Sequence, residues 1–267
     1  MDTLDNAENR SVFIIREAFH KFRKIGMLWS MGKDSTALLH LCRKAFMGSI
    51  PFPVVHVDTG YKFPEIYKFR DRIAKEYGLN LIIARNEQAL REGIGSGRGK
   101  KLDCCTTLKT DALKQVIAQQ GFDAVLVGIR RDEHGIRSKE RSFSPRDTDF
   151  KWDYANQPAE IWDQFGIAER EDLHCRVHPL LHMTEADIWR YTRRENIPAI
   201  SLYFARNGKR YRSIGCHPCC GPVDSTASTI DEIVAEVETS LVPERAGRAQ
   251  DKEDADAMQK LRTLGYM

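Results

Sequence analysis

Ile25-Gly26-Met27-Leu28-Trp29-Ser30-Met31-Gly32-Lys33-Asp34-Ser35 is the stretch on which the fold turns. A short apolar run to Ser30 reads as a strand. The pattern Leu38, Leu39, Leu41, Cys42, Ala45, Phe46 reads as a helix that follows it. Between them, Gly32 lets backbone N–H groups approach an anion closely, and the helix N-terminus adds favourable partial charge. Lys33 can reach outer phosphates, Ser30 and Ser35 supply hydroxyls, and Asp34 can cap the helix or help to hold Mg²⁺. The loop is not a Walker A motif, because the four-residue gap between two glycines is missing. Alone, the six residues also suit an ordinary strand-to-helix turn capped by Asp and Ser.

Working outward, residues 54–57 form a buried-strand run, 64–77 a helix with Pro64 in its first turn, and 79–84 a third strand. A helix over 107–119 ends at Gly121, and 124–127 is a fourth strand. Strand–helix alternation of this kind implies a parallel sheet with right-handed crossovers and helices on both faces. Ligands then bind beyond the carboxyl ends of the strands. Residues 130–160 are polar, arginine-rich and aperiodic, as in a long functional loop. Residues 177–181 read as a strand, and 184–195 as a helix with Thr184 and Asp187 placed as a capping box. An irregular stretch over 201–228 precedes a helix over 229–242 and a polar tail. The expected division is an α/β domain over 1–200 and a C-terminal segment over 201–267.

Among 267 residues, 42% are hydrophobic and 30% charged, which excludes disordered and fibrous classes. No apolar run approaches the roughly 18 residues that span a bilayer, and the first ten residues are acidic and polar rather than secretory. A cytoplasmic protein without a membrane partner is expected. The net charge of +3 does not by itself argue for nucleic acid. Residues 190–212 are basic and 221–267 acidic, however, and that arrangement suits an anionic substrate. Trp152, Trp162 and Trp189 read as packing residues, as do His40 and His56. The string from Gly93 to Lys101 is either a basic lid or a surface loop.

The loop Ser-x-Gly-Lys-Asp-Ser resembles the pyrophosphate loop of the N-type ATP pyrophosphatases, the superfamily that includes the sulfonucleotide reductases. The strings MLWSMGKDS, LLHLCRKAF, PFPVVHVDTGYKFPE, GFDAVLVGIRRDE and ERAGRAQD resemble the small, adenylylating subunits of heterodimeric sulfate adenylyltransferases. Two departures are Met31, where many superfamily members have glycine, and a shorter region before Cys216. The resemblance implies a Rossmann-like sheet of the adenine nucleotide alpha hydrolase type. It also implies cleavage of ATP between its α and β phosphates, with attack by an acceptor oxygen. Lys33, Arg130 and Arg131 are then candidates to stabilise departing pyrophosphate, with Arg137 and Arg141 as further donors. Asp58, at the end of the second strand, is placed to contact nucleotide or Mg²⁺.

Seven cysteines in a chain of this type do not suggest disulfides. Five fall in two clusters, Cys104-Cys105 and Cys216-His217-Pro218-Cys219-Cys220. Four thiolates suffice for tetrahedral Zn²⁺ or a [4Fe–4S] cluster. The tandem pair followed by Lys109, with the later Gly-Cys-x-Pro-Cys, resembles the cluster ligands of adenylyl-sulfate reductases, which implies Cys104, Cys105, Cys216 and Cys219 as ligands. No cysteine follows Cys220, so the catalytic cysteine of those reductases is absent. The combination resembles superfamily members that insert sulfur into tRNA or DNA. The leading expectation is iron–sulfur-dependent sulfur transfer to a nucleic acid, by tRNA thiolation or DNA phosphorothioation. A cysteine desulfurase or another sulfur donor would be the partner, and Cys220 or Cys175 a relay. The alternative is a sulfate adenylyltransferase small subunit working with a GTPase subunit.

Overall fold

The computed structural model describes residues 2–95, 101–155, 157, 159–162, 164–165, 174–249, 260–261, 263 and 265. Helix α1 (Thr3–Lys21) leads into β1 (Ile25–Leu28), α2 (Lys33–Ala45), β2 (Val54–Val57), α3 (Pro64–Glu76), β3 (Leu81–Ala84) and the short α4 (Glu87–Arg91). Next come α5 (Lys101–Cys105), a π turn (Thr106–Asp111), α6 (Ala112–Gln120), β4 (Ala124–Leu126) and β5 (Phe143–Arg146). A small hairpin of β6 (Glu160–Ile161) and β7 (Gln164–Phe165) precedes β8 (His174–Val177) and α7 (Glu185–Arg194). The chain then forms β9 (Lys209–Arg210), β10 (Val223–Asp224) and α8 (Ile230–Thr239).

The main sheet runs β3-β2-β1-β4-β8-β5. The first five strands are parallel, and β5 pairs antiparallel with β8. The α/β, Rossmann-like expectation holds, with one antiparallel edge added. That edge escaped the pattern reading because Pro145 and Arg146 disguise it, although Arg146 is fully buried. Strands β1 and β2 are buried on both faces, as central parallel strands require. The order changes direction at β1, between β2 and β4, so a crevice opens there at the strands' carboxyl ends.

Several boundaries differ from the sequence reading. Helix α1, for which the sequence pattern carries no expectation, packs Ile14, Ile15 and Ala18 into the core. The helix expected from 107 begins at Lys101 and passes through the π turn, so Cys104 and Cys105 lie on a helix rather than before it. The strand expected over 177–181 is instead His174–Val177, because Pro179 denies the next residues a ladder donor. The capping box at Thr184 and Asp187 forms as expected. Trp189 and Trp152 are buried, but Trp162 is 89% exposed on the β6–β7 hairpin, with φ at +51°. Residues 96–100 of the glycine-rich string and residues 250–259, 262, 264, 266 and 267 of the acidic stretch lie outside the described residues.

The apolar core joins α1, α2, β1 and α7 with Tyr203, Ile214, Ala227, Ile233 and Val234 of the later chain. Met31 belongs to it and is 1% exposed, yet its φ is +61°. A non-glycine residue there costs about 1–2 kcal/mol. Burying a methionine side chain returns roughly 1.5–3 kcal/mol, which explains how the position tolerates a residue other than glycine. Among the described residues, no helix is long and apolar enough to cross a membrane.

Candidate active site

Helix α2 starts directly after β1, and its first turn closes on itself. Ser35 Oγ accepts from the Ser30 N–H at 3.2 Å, lies 3.1 Å from Ser30 Oγ and donates to the Gly32 carbonyl at 3.1 Å. The Lys33 N–H donates to Tyr203 Oη at 2.8 Å. Gly128, just beyond β4, lies against this turn: a Cβ there would stand 3.1 Å from both Cα and N of Ser35. The loop is therefore fixed from beneath by its own hydroxyls, and from the side by a glycine whose missing side chain lets the two backbones meet closely.

A cavity opens in front of the loop. Leu28, Val55, Val57, Val127 and Ile129 form an apolar wall at the ends of β1, β2 and β4. Ser30, Gly32, Lys33, Asp34 and Ser35 form one polar end, and Lys62, Lys109, Arg137, Arg245 and Arg248 bring five cationic side chains to the remainder. Arg137 and Arg245 both pair with Glu133. An apolar wall beside a loop of donors and a cationic rim suits a purine nucleotide with its phosphates.

Of the residues expected at the site, Ser30, Gly32, Lys33, Asp34, Ser35 and Arg137 border this cavity. Arg130 lies beneath it, fully buried, and is joined to the loop by ion pairs with Asp34, Asp132 and Glu244. Lys33 Nζ pairs with Glu244, lies 3.2 Å from Asp34 and reaches Glu185 at 3.9 Å. Burial would push the Glu244 carboxyl up, but Arg130 and Lys33 hold it well below the usual carboxylate range. Arg131, Arg141 and Asp58 do not border the cavity. Arg131 donates to the Glu140 carbonyl at 3.4 Å. Asp58 accepts from the Gly60 N–H at 2.8 Å and Tyr67 Oη at 2.9 Å, which fixes the turn after β2.

That turn supports the cysteine loop. Lys62 bridges to Cys216, the His217 N–H donates to the Tyr61 carbonyl at 2.7 Å, and Thr59 Oγ1 lies 3.2 Å from Cys216 Sγ. The two cysteine groups converge. The Cys104 thiol is pushed up to about 11 by burial and by Cys105, Cys216 and Cys219, with Lys109 opposing. Burial raises Cys216 too, but Lys109, Lys62 and the Thr59 hydroxyl outweigh it and bring the thiol to about 7. Every cysteine is unpaired, and among the described residues no three His, Cys, Asp or Glu side chains surround a single-ion position. Cys175 is far from serving as a relay: it is buried in β8, and burial pushes its thiol up to about 12. Cys220 Sγ accepts from the Gly215 N–H at 3.1 Å and Arg248 Nη1 at 3.0 Å.

Glu185, Tyr203, Glu244, Arg245 and Arg248 join the site without a local signal that marks them. The string ERAGRAQD carried a resemblance, but nothing in its spacing says that Glu244 turns inward while Arg245 and Arg248 face the cavity.

A profile of the phosphoadenosine phosphosulfate reductase domain matches residues 24–222. Sulfate adenylyltransferase subunit 2 of Pseudoalteromonas translucida is 41% identical, over 98% of this chain and 98% of its own. The protein of the same name from Aeromonas salmonicida is 40% identical, over 98% and 95%. Among solved structures, phosphoadenylyl-sulfate reductase from Candida auris superposes with a TM-score of 0.55 at 16% identity, over 82% of this chain and 97% of its own. Candida glabrata FMN adenylyltransferase with FAD and pyrophosphate gives 0.58 at 19%, over 92% and 90%. Those two share the fold. With near-complete coverage by relatives at about 40% identity, the chain belongs to the sulfate adenylyltransferase subunit 2 family, an adenylyltransferase family built on the phosphoadenosine phosphosulfate reductase domain.

Proposed function

We propose that this adenylyltransferase transfers the AMP moiety of ATP to sulfate, forming adenylyl sulfate and pyrophosphate, in complex with a GTPase subunit. The observation that carries the reading is the cavity itself, with a pyrophosphate-type loop at one end, an apolar slot along β1, β2 and β4, and five cations around the remainder. The names of the relatives favour sulfate as acceptor over the sulfur-transfer reading. A sulfate oxygen attacks the α-phosphorus, and the new O–P bond forms as the bond to the α–β bridging oxygen breaks. Pyrophosphate departs with that electron pair. Ser30, Ser35 and the N-terminal N–H groups of α2 hold the departing phosphates, and Asp34, which borders the cavity, would be the residue to hold an accompanying Mg²⁺, which would neutralise phosphate charge. Lys33 and Arg130 balance charge beneath the loop, while Arg137, Lys62 and Lys109 attract the anionic acceptor. The test is pyrophosphate release from ATP with sulfate, measured with and without a GTPase subunit. Release that depends on sulfate supports the reading; none under either condition overturns it.

The convergence of Cys104, Cys105, Cys216 and Cys219 favours a second component, a [4Fe–4S] cluster at the cavity's edge. Four sulfurs within one another's field match the four thiolate ligands of a cluster, which gives each thiolate its own iron. A bound cluster would supply redox or sulfur-carrying chemistry beside the nucleotide. In that case the acceptor oxygen belongs to a tRNA or DNA, and a cysteine desulfurase or similar donor supplies the sulfur. Pyrophosphate release that needs oligonucleotide rather than sulfate would select this reading. Seven unpaired thiols suit a reducing, cytoplasmic setting.

A further inference from the structure

Lys33 follows the loop glycine directly and borders the cavity, but its ammonium does not reach free space. The side chain is 2% exposed, and three carboxylates surround Nζ: Asp34 at 3.2 Å, Glu185 at 3.9 Å and Glu244 in direct contact. Glu244 also bonds to the fully buried Arg130. A phosphate could reach Lys33 only by evicting a carboxylate that two buried cations hold.

Glu244 sits in the middle of a strap over 240–248 that crosses from α8 to the cysteine loop. Before it, Arg212 donates to Ser240 Oγ at 3.0 Å and the Val242 carbonyl at 2.7 Å. After it, Arg245 pairs with Glu133 at 3.2 Å. Arg248 donates to Ser213 Oγ at 3.0 Å and to the Ile214 carbonyl at 2.8 Å. Arg245 and Arg248 both border the cavity. The strap thus presents two cations to the nucleotide site, and its inward carboxylate is clamped by the residue next to the phosphate loop.

We propose that Glu244 is a positioning residue, and that Lys33 acts on the nucleotide site through it: Lys33, Glu244 and Arg130 form a buried anchor that holds the 240–248 strap over the cavity. This rests on the reading of the cavity as an ATP site. The charge of Lys33 then sets where Arg245 and Arg248 stand and is not a phosphate ligand.

The test compares wild type, Lys33→Met, Glu244→Gln and the double variant, each as the full chain. Binding of ATP and of pyrophosphate is measured by calorimetry, and amide exchange is followed across 240–248. The anchor requires each single variant to weaken both ligands by about tenfold or more, the scale of one lost charge-assisted hydrogen bond. It also requires the double variant to be no worse than the weaker single one, and exchange over 240–248 to rise in all three. If Lys33→Met weakens pyrophosphate while Glu244→Gln leaves both affinity and exchange unchanged, Lys33 is a direct ligand and the anchor falls. Tighter ATP binding by Glu244→Gln would also overturn it, since the carboxylate would then be a competitor. Lys33→Arg and Glu244→Asp keep the charges if the neutral variants do not fold, and they are expected to keep exchange protection. A wild type that binds no ATP would overturn the ATP reading, and exchange over 240–248 in the variants would still decide the anchor.

Discussion

Arg248 Nη1 donates to Cys220 Sγ at 3.0 Å, and the same guanidinium borders the nucleotide cavity. Its chain also bridges to Cys220 through the backbone, and a Cβ on Gly215 would collide with it. The nucleotide site and the cysteine loop therefore share one side chain, seated over a glycine.

Arg248→Met should disturb both at once. The variant keeps an apolar stem over Gly215 but loses donors to Cys220, Ser213 and Ile214. Adenylylation is expected to fall by about 10–100-fold, the scale of one or two charge-assisted hydrogen bonds. Alkylation of Cys220, followed by mass spectrometry, should slow, because the reactive thiolate loses the guanidinium beside it. Unchanged alkylation with reduced activity would show that the two sites are not joined through this residue.

Gly128→Ala is a sharper probe of the phosphate loop. The added methyl would stand 3.1 Å from the Ser35 backbone, so the first turn of α2 must shift. Misplacing a binding group by a fraction of an ångström to one ångström costs up to about 10²-fold. ATP affinity should drop by about 10–100-fold, while overpacking costs about 1–3 kcal/mol of stability. Wild-type ATP affinity in this variant would show that the loop does not carry the phosphates.

The sheet was legible because β1, β2 and β4 are short apolar runs beside helical patterns, and period and run length are local properties. Thr184 and Asp187 were legible for the same reason, since a capping box spans only four residues. Edge strand β5 was not, because Arg146 is buried by pairing with Glu140 at 3.0 Å, a tertiary contact with no local signature. At the site, Ser30, Gly32 and Ser35 could be read from strand–turn–helix context. Glu244 could not: it meets Lys33 across 211 residues of chain. Charged residues in a loop read as solvated until the fold supplies their partners.

Stability should fall more steeply as pH drops below about 6.5, where the buried histidines begin to count. Burial, assisted by Lys62 at His56 and Arg176 at His174, lowers both from an ordinary value of 6.5 to about 3. Between those limits the unfolded chain binds protons that the folded one refuses, so acidification favours unfolding. Each histidine contributes up to about 1.4 kcal/mol per pH unit in that window. Glu244 acts lower: its depressed carboxyl stabilises the fold above its ordinary value of 4.5, and that contribution is lost as pH falls further. Urea unfolding from pH 8 to 5 should give a decline that steepens below 6.5, added to the loss that Cys216 contributes as pH falls towards its thiol value of about 7. His56→Gln should reduce the slope, and a slope unchanged by it would refute the assignment to that residue.

The cysteines divide into two classes that a substitution series separates. Cys104, Cys105, Cys216 and Cys219 share one electrostatic neighbourhood with Lys109, whereas Cys42 and Cys175 are buried in the core. Cys220 stands apart because its sulfur already accepts from Gly215 and Arg248. Anaerobically purified wild type is expected to carry about four iron and four sulfide per chain. Serine at any of the four converging positions should remove most of that iron and bleach the visible absorption, since a hydroxyl is a poor substitute for a thiolate ligand. Cys220→Ser should retain the iron, and so should Cys42→Ala. Adding a chelator to the wild type should lower its melting temperature but leave the four variants unaffected, because they hold no metal to remove. Stoichiometric zinc in place of iron, or no metal at all, would refute the cluster and leave the four thiols as packing around Lys109.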